Sequence, residues 1–143
     1  MPRSFLTAVW SDLVLITYAV EPTIVAACLP QGLEPDTRDG MAYASLVAFD
    51  FRETRVLGTQ WPGLTRFPEI NLRVYARLAS DGRRGVVFVR ELVPRRLIVW
   101  VARMIYNEPY AHASMRSCVD RVGDTLTIEH AWKRAGGSYR VRA

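Results

Sequence analysis

From Glu69 to Leu78 the chain alternates strictly. Glu69, Asn71, Arg73, Tyr75 and Arg77 fall on one side, and Ile70, Leu72, Val74, Ala76 and Leu78 on the other. Successive side chains of a strand point to opposite faces, so a period of two reads as a half-buried β-strand and argues against a helix. The polar side is an ordered acid, amide, base and phenol. Two readings of that row stand open: a solvated, salt-bridged sheet face, or the wall of a pocket.

The flanking sequence repeats the strand signal. Ser80-Asp81-Gly82 turns the alternating strand back into the apolar run Gly85 to Val93, which predicts a hairpin. Asp39-Gly40, between Leu33–Arg38 and Met41–Phe51, predicts a second. Tyr110–Cys118 and Leu126–Trp132, joined at Val122-Gly123-Asp124, predict a third, and Tyr139 to Val141 a last short strand after Gly136-Gly137. Leu13 to Val20 reads as a strand, with Phe5 to Trp10 extended before it and a short helical turn from Glu21-Pro22 after it. Past Pro94, Leu97, Ile98, Val101, Met104 and Ile105 recur at helical spacing, which predicts an amphipathic helix over Arg95–Asn107. The expected fold class is therefore α+β and strand-dominated: a curved antiparallel sheet or partly closed barrel with one main helix near 95–107.

At 143 residues the chain is expected to be one domain, able to bury about 70% of its unfolded surface. Its charge of +5 comes from eighteen arginines and a single lysine, Lys133. The arginines are scattered, with no basic run that would track phosphates, so specific nucleic-acid binding is not expected. Cys28 and Cys118 are far apart and lack a second metal-binding pair, which reads as buried free thiols in a reducing compartment. Val25-Ala26-Ala27-Cys28 looks like a lipoprotein cleavage box, but Asp12, Glu21 and Pro22 interrupt the apolar region before it. The expected location is cytoplasmic, without a membrane partner.

Residues two apart on one strand face lie about 7 Å apart, so Glu69, Asn71, Arg73 and Tyr75 are successive neighbours. The Asp81-Gly82 hairpin sets Arg73 opposite Phe88 through Glu91, bringing Glu91 or Arg90 toward the row. Arginines would lower the pKa of Glu69, whereas burial would raise it into the range useful for proton transfer. Arg95 and Arg96 start a helix, where cations oppose the dipole. Either Glu91 or a bound anion would compensate, or the two arginines snorkel into solvent. Tyr106-Asn107-Glu108-Pro109-Tyr110 reads as the close of that helix, with the two tyrosines either placing hydroxyls at a cavity mouth or packing their rings as a cap. The loop from Val56 to Phe67 carries Trp61, as a site cover or a plug at the core edge. Beyond Glu108, four before His112, and Glu129, neither His112 nor His130 has an acid or thiol at ligand spacing, so no metal site is expected. No phosphate loop or nucleophile elbow is present, and no cofactor is expected.

The order Trp10…Leu13-Val14, Leu29-Pro30…Gly32-Leu33, Asp39-Gly40, Glu69-Ile-Asn-Leu-Arg73-Val-Tyr75, Gly85-Val-Val-Phe88, Pro94-Arg-Arg96 and Tyr106-Asn107 resembles the YqjF-like family, domain of unknown function 2071. The resemblance runs from about Phe5 to Trp132. It implies an acetoacetate-decarboxylase-like fold, a curved antiparallel sheet around a central cavity, with the polar row turned toward that cavity. Such decarboxylases work through a Schiff-base lysine, commonly in a Pro-Lys-Lys setting. Here Pro94-Arg95-Arg96 only echoes it, and arginine cannot give up its proton to attack a carbonyl. Lys133 reads as part of a loop before Gly136-Gly137, so Schiff-base chemistry is not expected. Family members usually continue well past this point, so the chain is expected to lack the family's C-terminal part.

The expectation is thus a protein that binds a small organic anion or polar metabolite in a β-sheet cavity. Glu69 is the candidate acid–base group, and Asn71, Arg73, Tyr75, Glu91 and Arg95 are the candidate ligand-binding residues. If it is an enzyme, its chemistry is non-covalent. The alternative is a structural or subunit-interaction module without a small ligand, in which a homodimer covers an open sheet edge.

Overall fold

The alternating segment is strand β4, Phe67–Leu78, and the computed structural model places it inside a six-stranded sheet. The structure describes residues 6–96, 98–99 and 109–143. Two 15-residue strands, β1 (Leu6–Val20) and β3 (Ala42–Val56), form an antiparallel pair, and β3 pairs β4 on its other edge. Between β1 and β3 lie a single helical turn, α1 (Pro22–Ala26), and a short strand, β2 (Leu33–Pro35). Strand β5 (Arg84–Val93) follows β4 as the expected hairpin, and β6 (Tyr110–His112) lies beyond it. Strands β7 (Ser114–Val122), β8 (Thr125–Arg134) and β9 (Gly137–Arg142) make a second, three-stranded sheet.

Three pairings differ from the hairpin expectation, each for a physical reason. Asp39 and Gly40 do form the tight turn, at φ 53° and 79°, with Arg38 and Met41 exchanging both backbone hydrogen bonds. Strand β2 nevertheless pairs β4 through Leu33↔Leu78 to Pro35↔Ala76, because β1 and β4 already occupy the two edges of β3. Pro35, which lacks a donor, suits so short a strand. The segment expected as one strand from Tyr110 to Cys118 divides at Ala113. Its first part pairs with β5 in parallel (Glu91↔Tyr110), and only its second part enters the β7–β8 hairpin. A parallel neighbour needs a crossover, supplied here by residues 94–109. The sheet is therefore mixed, and it stays open, with β1 and β6 at the ends of its strand order. Finally, Lys133 belongs to β8, paired with Ser114 and Ser138, and not to a loop.

The helix expected over Arg95–Asn107 lies largely outside the described residues. Within it, Arg96, Ile98 and Val99 are helical. Both cysteines are exposed and unpaired, contrary to the buried thiols expected: α1 is short enough to bury only Val25, and Cys118 faces outward from β7. Trp61 and Leu57 stand out from the loop after β3, so neither plugs the core. Among the described residues, no helix is long and apolar enough to cross a membrane.

The alternation of β4 sorts its side chains between two cores. Ile70 joins Val14, Ala48, Leu92 and Ala111 in the layer between the sheets, where Met115, Ile128 and Trp132 pack from the second sheet. Val74 and Ala42 meet Val25 of α1 on the same side. On the opposite face Val47, Phe49, Phe51, Phe67 and Val93 form a separate cluster, packed by Ile98, Val99 and Tyr110. Trp10 stacks on Phe49 at 4.4 Å, and Phe51 meets both Phe49 and Phe67 at 5.0 Å between centroids, geometries that aromatic quadrupoles favour. The polar row shares this second face.

Candidate functional site

Register fixes what surrounds the row. On β3, Glu69 faces Phe49, Asn71 faces Val47 and Arg73 faces Ser45; on β5, Asn71 faces Glu91 and Arg73 faces Phe88. Glu91 in turn faces Tyr110 on β6, so Asn71, Glu91 and Tyr110 form one transverse row across three strands. A register shift between Leu72 and Arg73 adds one residue to β5 at Val89, separating this end of the row from the next.

The row divides into a buried end and an open end. Glu69, Asn71 and Glu91 are buried at 2%, 1% and 5% exposure. Asn71 Nδ2 donates to Glu69 Oε1 at 3.3 Å, and Tyr110 Oη donates to Glu69 Oε2 at 3.1 Å. Both bonds favour the carboxylate, yet loss of hydration outweighs them and raises the Glu69 pKa from 4.5 to about 7. The same burial, with Glu69 and Glu91 close by, holds the Tyr110 phenol protonated and raises its pKa. Asn71 Oδ1 is buried and has no hydrogen-bond partner among the described residues. A buried acceptor left unsatisfied is costly.

At the open end, Arg73 and Tyr75 are half-buried. The Arg73 guanidinium lies 5.9 Å from the centre of the Tyr75 ring, a cation–π distance. Tyr75 Oη is 2.9 Å from Ser45 Oγ, which is 2.7 Å from Thr17 Oγ1, a hydroxyl chain across β4, β3 and β1. The Ser45 hydrogen bond, aided by Arg73 and opposed by burial, lowers the Tyr75 pKa. Tyr75 and Thr17 open onto a groove of about 450 Å³, walled by Tyr43 and by the Asp36–Arg84 ion pair at 3.2 Å.

Of the residues expected in the site, the fold gathers Glu69, Asn71 and Glu91 at one end and Arg73 and Tyr75 at the other. Arg95 stands apart: it is exposed, and among the described residues its side chain makes no hydrogen bond or ion pair. The sequence left Tyr110 open between a hydroxyl at a cavity mouth and a packed cap, and it missed Ser45 and Thr17, two hydroxyls on remote strands that carry no local signal. The chain's one lysine lies exposed on β8, in the other sheet. Among the described residues, no three of His, Cys, Asp and Glu gather where they could hold a metal ion.

With this geometry in place, comparison with known proteins identifies the fold and the family. The acetoacetate decarboxylase of Legionella pneumophila superposes with a TM-score of 0.70 at 15% identity, covering 96% of this chain and 48% of that one. The enduracididine biosynthesis enzyme MppR, complexed with pyruvate, superposes with a TM-score of 0.67 at 19% identity, covering 91% and 53%. At such identities the likeness is one of fold, acetoacetate-decarboxylase-like. In sequence, the uncharacterized protein YqjF of Bacillus subtilis (strain 168) is 33% identical over 118 residues, which is 82% of this chain and 47% of that protein. The chain thus spans about half the length of the proteins it matches. The family model of an uncharacterized conserved protein, domain of unknown function 2071, matches residues 7–143, and the chain belongs to that family.

Proposed function

We propose that the chain binds a small organic anion or polar metabolite against the face that carries Glu69, Asn71, Arg73 and Tyr75. Arg73 and Tyr75 meet the anionic group at the open end, Asn71 Oδ1 accepts a hydrogen bond from the ligand, and Glu69 holds or exchanges a proton. The observation that carries this reading is the buried Glu69, its pKa raised to about 7 between Asn71 and Tyr110 on the same strand face as a half-buried arginine. A carboxyl poised near neutral pH suits reversible proton transfer. The pyruvate complex of the fold neighbour MppR agrees in ligand class. A Schiff base is not part of the proposal, since the chain's one lysine, Lys133, lies exposed on β8 in the other sheet and arginine cannot give up its proton. The exposed free thiols suit the reducing conditions of the cytoplasm, where we place the chain.

A panel of small carboxylic acids, read by thermal shift at pH 6 and pH 8, tests this reading. A saturable rise in melting temperature that Arg73→Ala abolishes is the expected result. No rise with any acid, together with an Arg73→Ala protein of unchanged or higher melting temperature, would sink it.

One observation favours a second reading, a subunit-interaction module. Strand β1 is at the end of the sheet order, and Trp10, Leu15 and Tyr18 on it are about half exposed. Such an edge invites pairing with another copy. Sedimentation showing a monomer at all concentrations would exclude it.

A further inference from the structure

We propose that the outer face of the β7–β9 sheet holds a second site, for a phosphate group, centred over Ala131. Met115 and Trp132 pack inward against the core between the sheets, so their strand neighbours point outward. That rule places two outward rows side by side: Ser114, Lys133 and Ser138 in register across the three strands, and Arg116, Ala131 and Arg140 in register beside them. The one small side chain of the second row sits between two arginines, with the lysine adjacent to it. A cavity of about 390 Å³ is lined by these two rows together with Met115, Trp132 and Tyr139, which lie in register between them.

Charge and shape both favour an oxyanion of charge near −2. Cross-strand neighbours are about 4.8 Å apart, so Arg116 and Arg140 stand about 10 Å apart at their Cα atoms, astride the Ala131 methyl. Two guanidinium forks on opposite sides match the oxygens of a phosphate, and Lys133 adds a point charge. Ser114 and Ser138 supply rotatable hydroxyls at the rim. Among the described residues Arg116 and Lys133 have no acidic partner. Among them Arg140 has only Glu129, at 3.6 Å, a distance beyond a close hydrogen bond. A monocarboxylate would leave most of this charge unmatched, whereas a phosphate monoester carries about −1.5 to −2 at pH 7. The cavity exceeds a bare phosphate and falls within the roughly 300–1,000 Å³ of small-ligand sites. It lies on the other sheet from the polar row, so it stands or falls independently of the function proposed above.

Calorimetric titration at fixed ionic strength tests the site in an Arg73→Ala background, which removes anion binding at the polar row, with orthophosphate, O-phosphoserine and acetate as probes. Saturable binding of phosphate but not acetate is expected. Tighter binding of O-phosphoserine would identify an ester as the natural form, and equal binding the free ion. Arg116→Ser combined with Arg140→Ser is expected to weaken binding at least tenfold with an unaltered melting temperature, and Ala131→Glu to abolish it. The proposal is overturned if acetate binds as well as phosphate, if Ala131→Glu binds like the wild type, or if only a single-stranded oligonucleotide binds, with steep salt dependence.

Discussion

The Tyr110 hydroxyl donates to Glu69 Oε2 at 3.1 Å, reaching from β6 to β4 past the intervening β5. This bond fastens the parallel strand to the centre of the sheet through the buried Glu69 carboxyl, whose pKa is raised to about 7. Tyr110→Phe deletes the donor while keeping the ring in the Phe49–Phe67 cluster. Because that bond lowers the Glu69 pKa, its loss is expected to raise the pKa above 7. It should also cost about 1 kcal/mol of stability, and more at alkaline pH, where the ionised oxygen is left unsatisfied. Urea unfolding of both proteins at pH 6 and pH 8 measures the difference.

Glu69 imposes its own pH dependence on folding. Its pKa is about 7 when folded and near the ordinary 4.5 when unfolded, so between those values the folded state binds more protons. Stability from this group is then full below pH 4.5, falls as pH rises toward 7, and is lost above it. The span corresponds to roughly 3 kcal/mol. Glu69→Gln removes the titration. The variant is expected to gain stability relative to the wild type between pH 5 and pH 8, as read by urea midpoints across that range. A wild-type curve parallel to that of the variant would show the carboxyl to be unperturbed.

Ser45 governs the phenol at the open end of the row. Its hydrogen bond is the largest cause lowering the Tyr75 pKa. Ser45→Ala is therefore expected to return the Tyr75 pKa toward its ordinary value, even though Arg73 remains beside the ring. Ultraviolet titration of the phenolate, with Tyr75→Phe as the subtraction control, resolves the change. If the two titrations coincide, Ser45 does not set this pKa.

The sequence reading reached the row but not its surroundings, for a reason visible at Tyr110. Period-two alternation is a local signal, so the faces of Glu69 and Ile70 could be read directly. Hairpin turns are local as well, which is why Ser80-Asp81-Gly82 placed Phe88 opposite Arg73. Strand order is not local. Tyr110 read as the start of the third hairpin because the turn signals after it pointed to antiparallel neighbours, whereas the crossover delivers it in parallel beside Glu91. Burial of Glu69 followed the same logic: the Phe49, Phe51 and Phe67 side chains that dry it come from β3 and the start of β4, and no spacing within Glu69–Leu78 reports them. Arg95 was grouped with the row by sequence proximity to Glu91, but past Pro94 the chain leaves the sheet.

His130, read in sequence only as a lone histidine, pins the two sheets together. It is almost fully buried, with Nε2 2.7 Å from the Asp12 carbonyl and Nδ1 2.8 Å from Ser117 Oγ. A carbonyl can only accept, so Nε2 carries the hydrogen, and on the neutral ring Nδ1 accepts from the serine. Asp12 sits in a β1 bulge at φ 53°, a conformation uncommon outside glycine, and its carboxylate also takes Arg52 Nη2 at 2.6 Å. The ring thus caps a strained bulge on the end strand from the opposite sheet. His130→Phe keeps the volume but orphans the Asp12 carbonyl and the Ser117 hydroxyl, and is expected to cost about 2–3 kcal/mol. His130→Phe and Ser117→Ala should be non-additive by about 1 kcal/mol in a double-mutant cycle read by urea unfolding, because the two share one hydrogen bond. Strict additivity would mean that His130 acts through Asp12 alone.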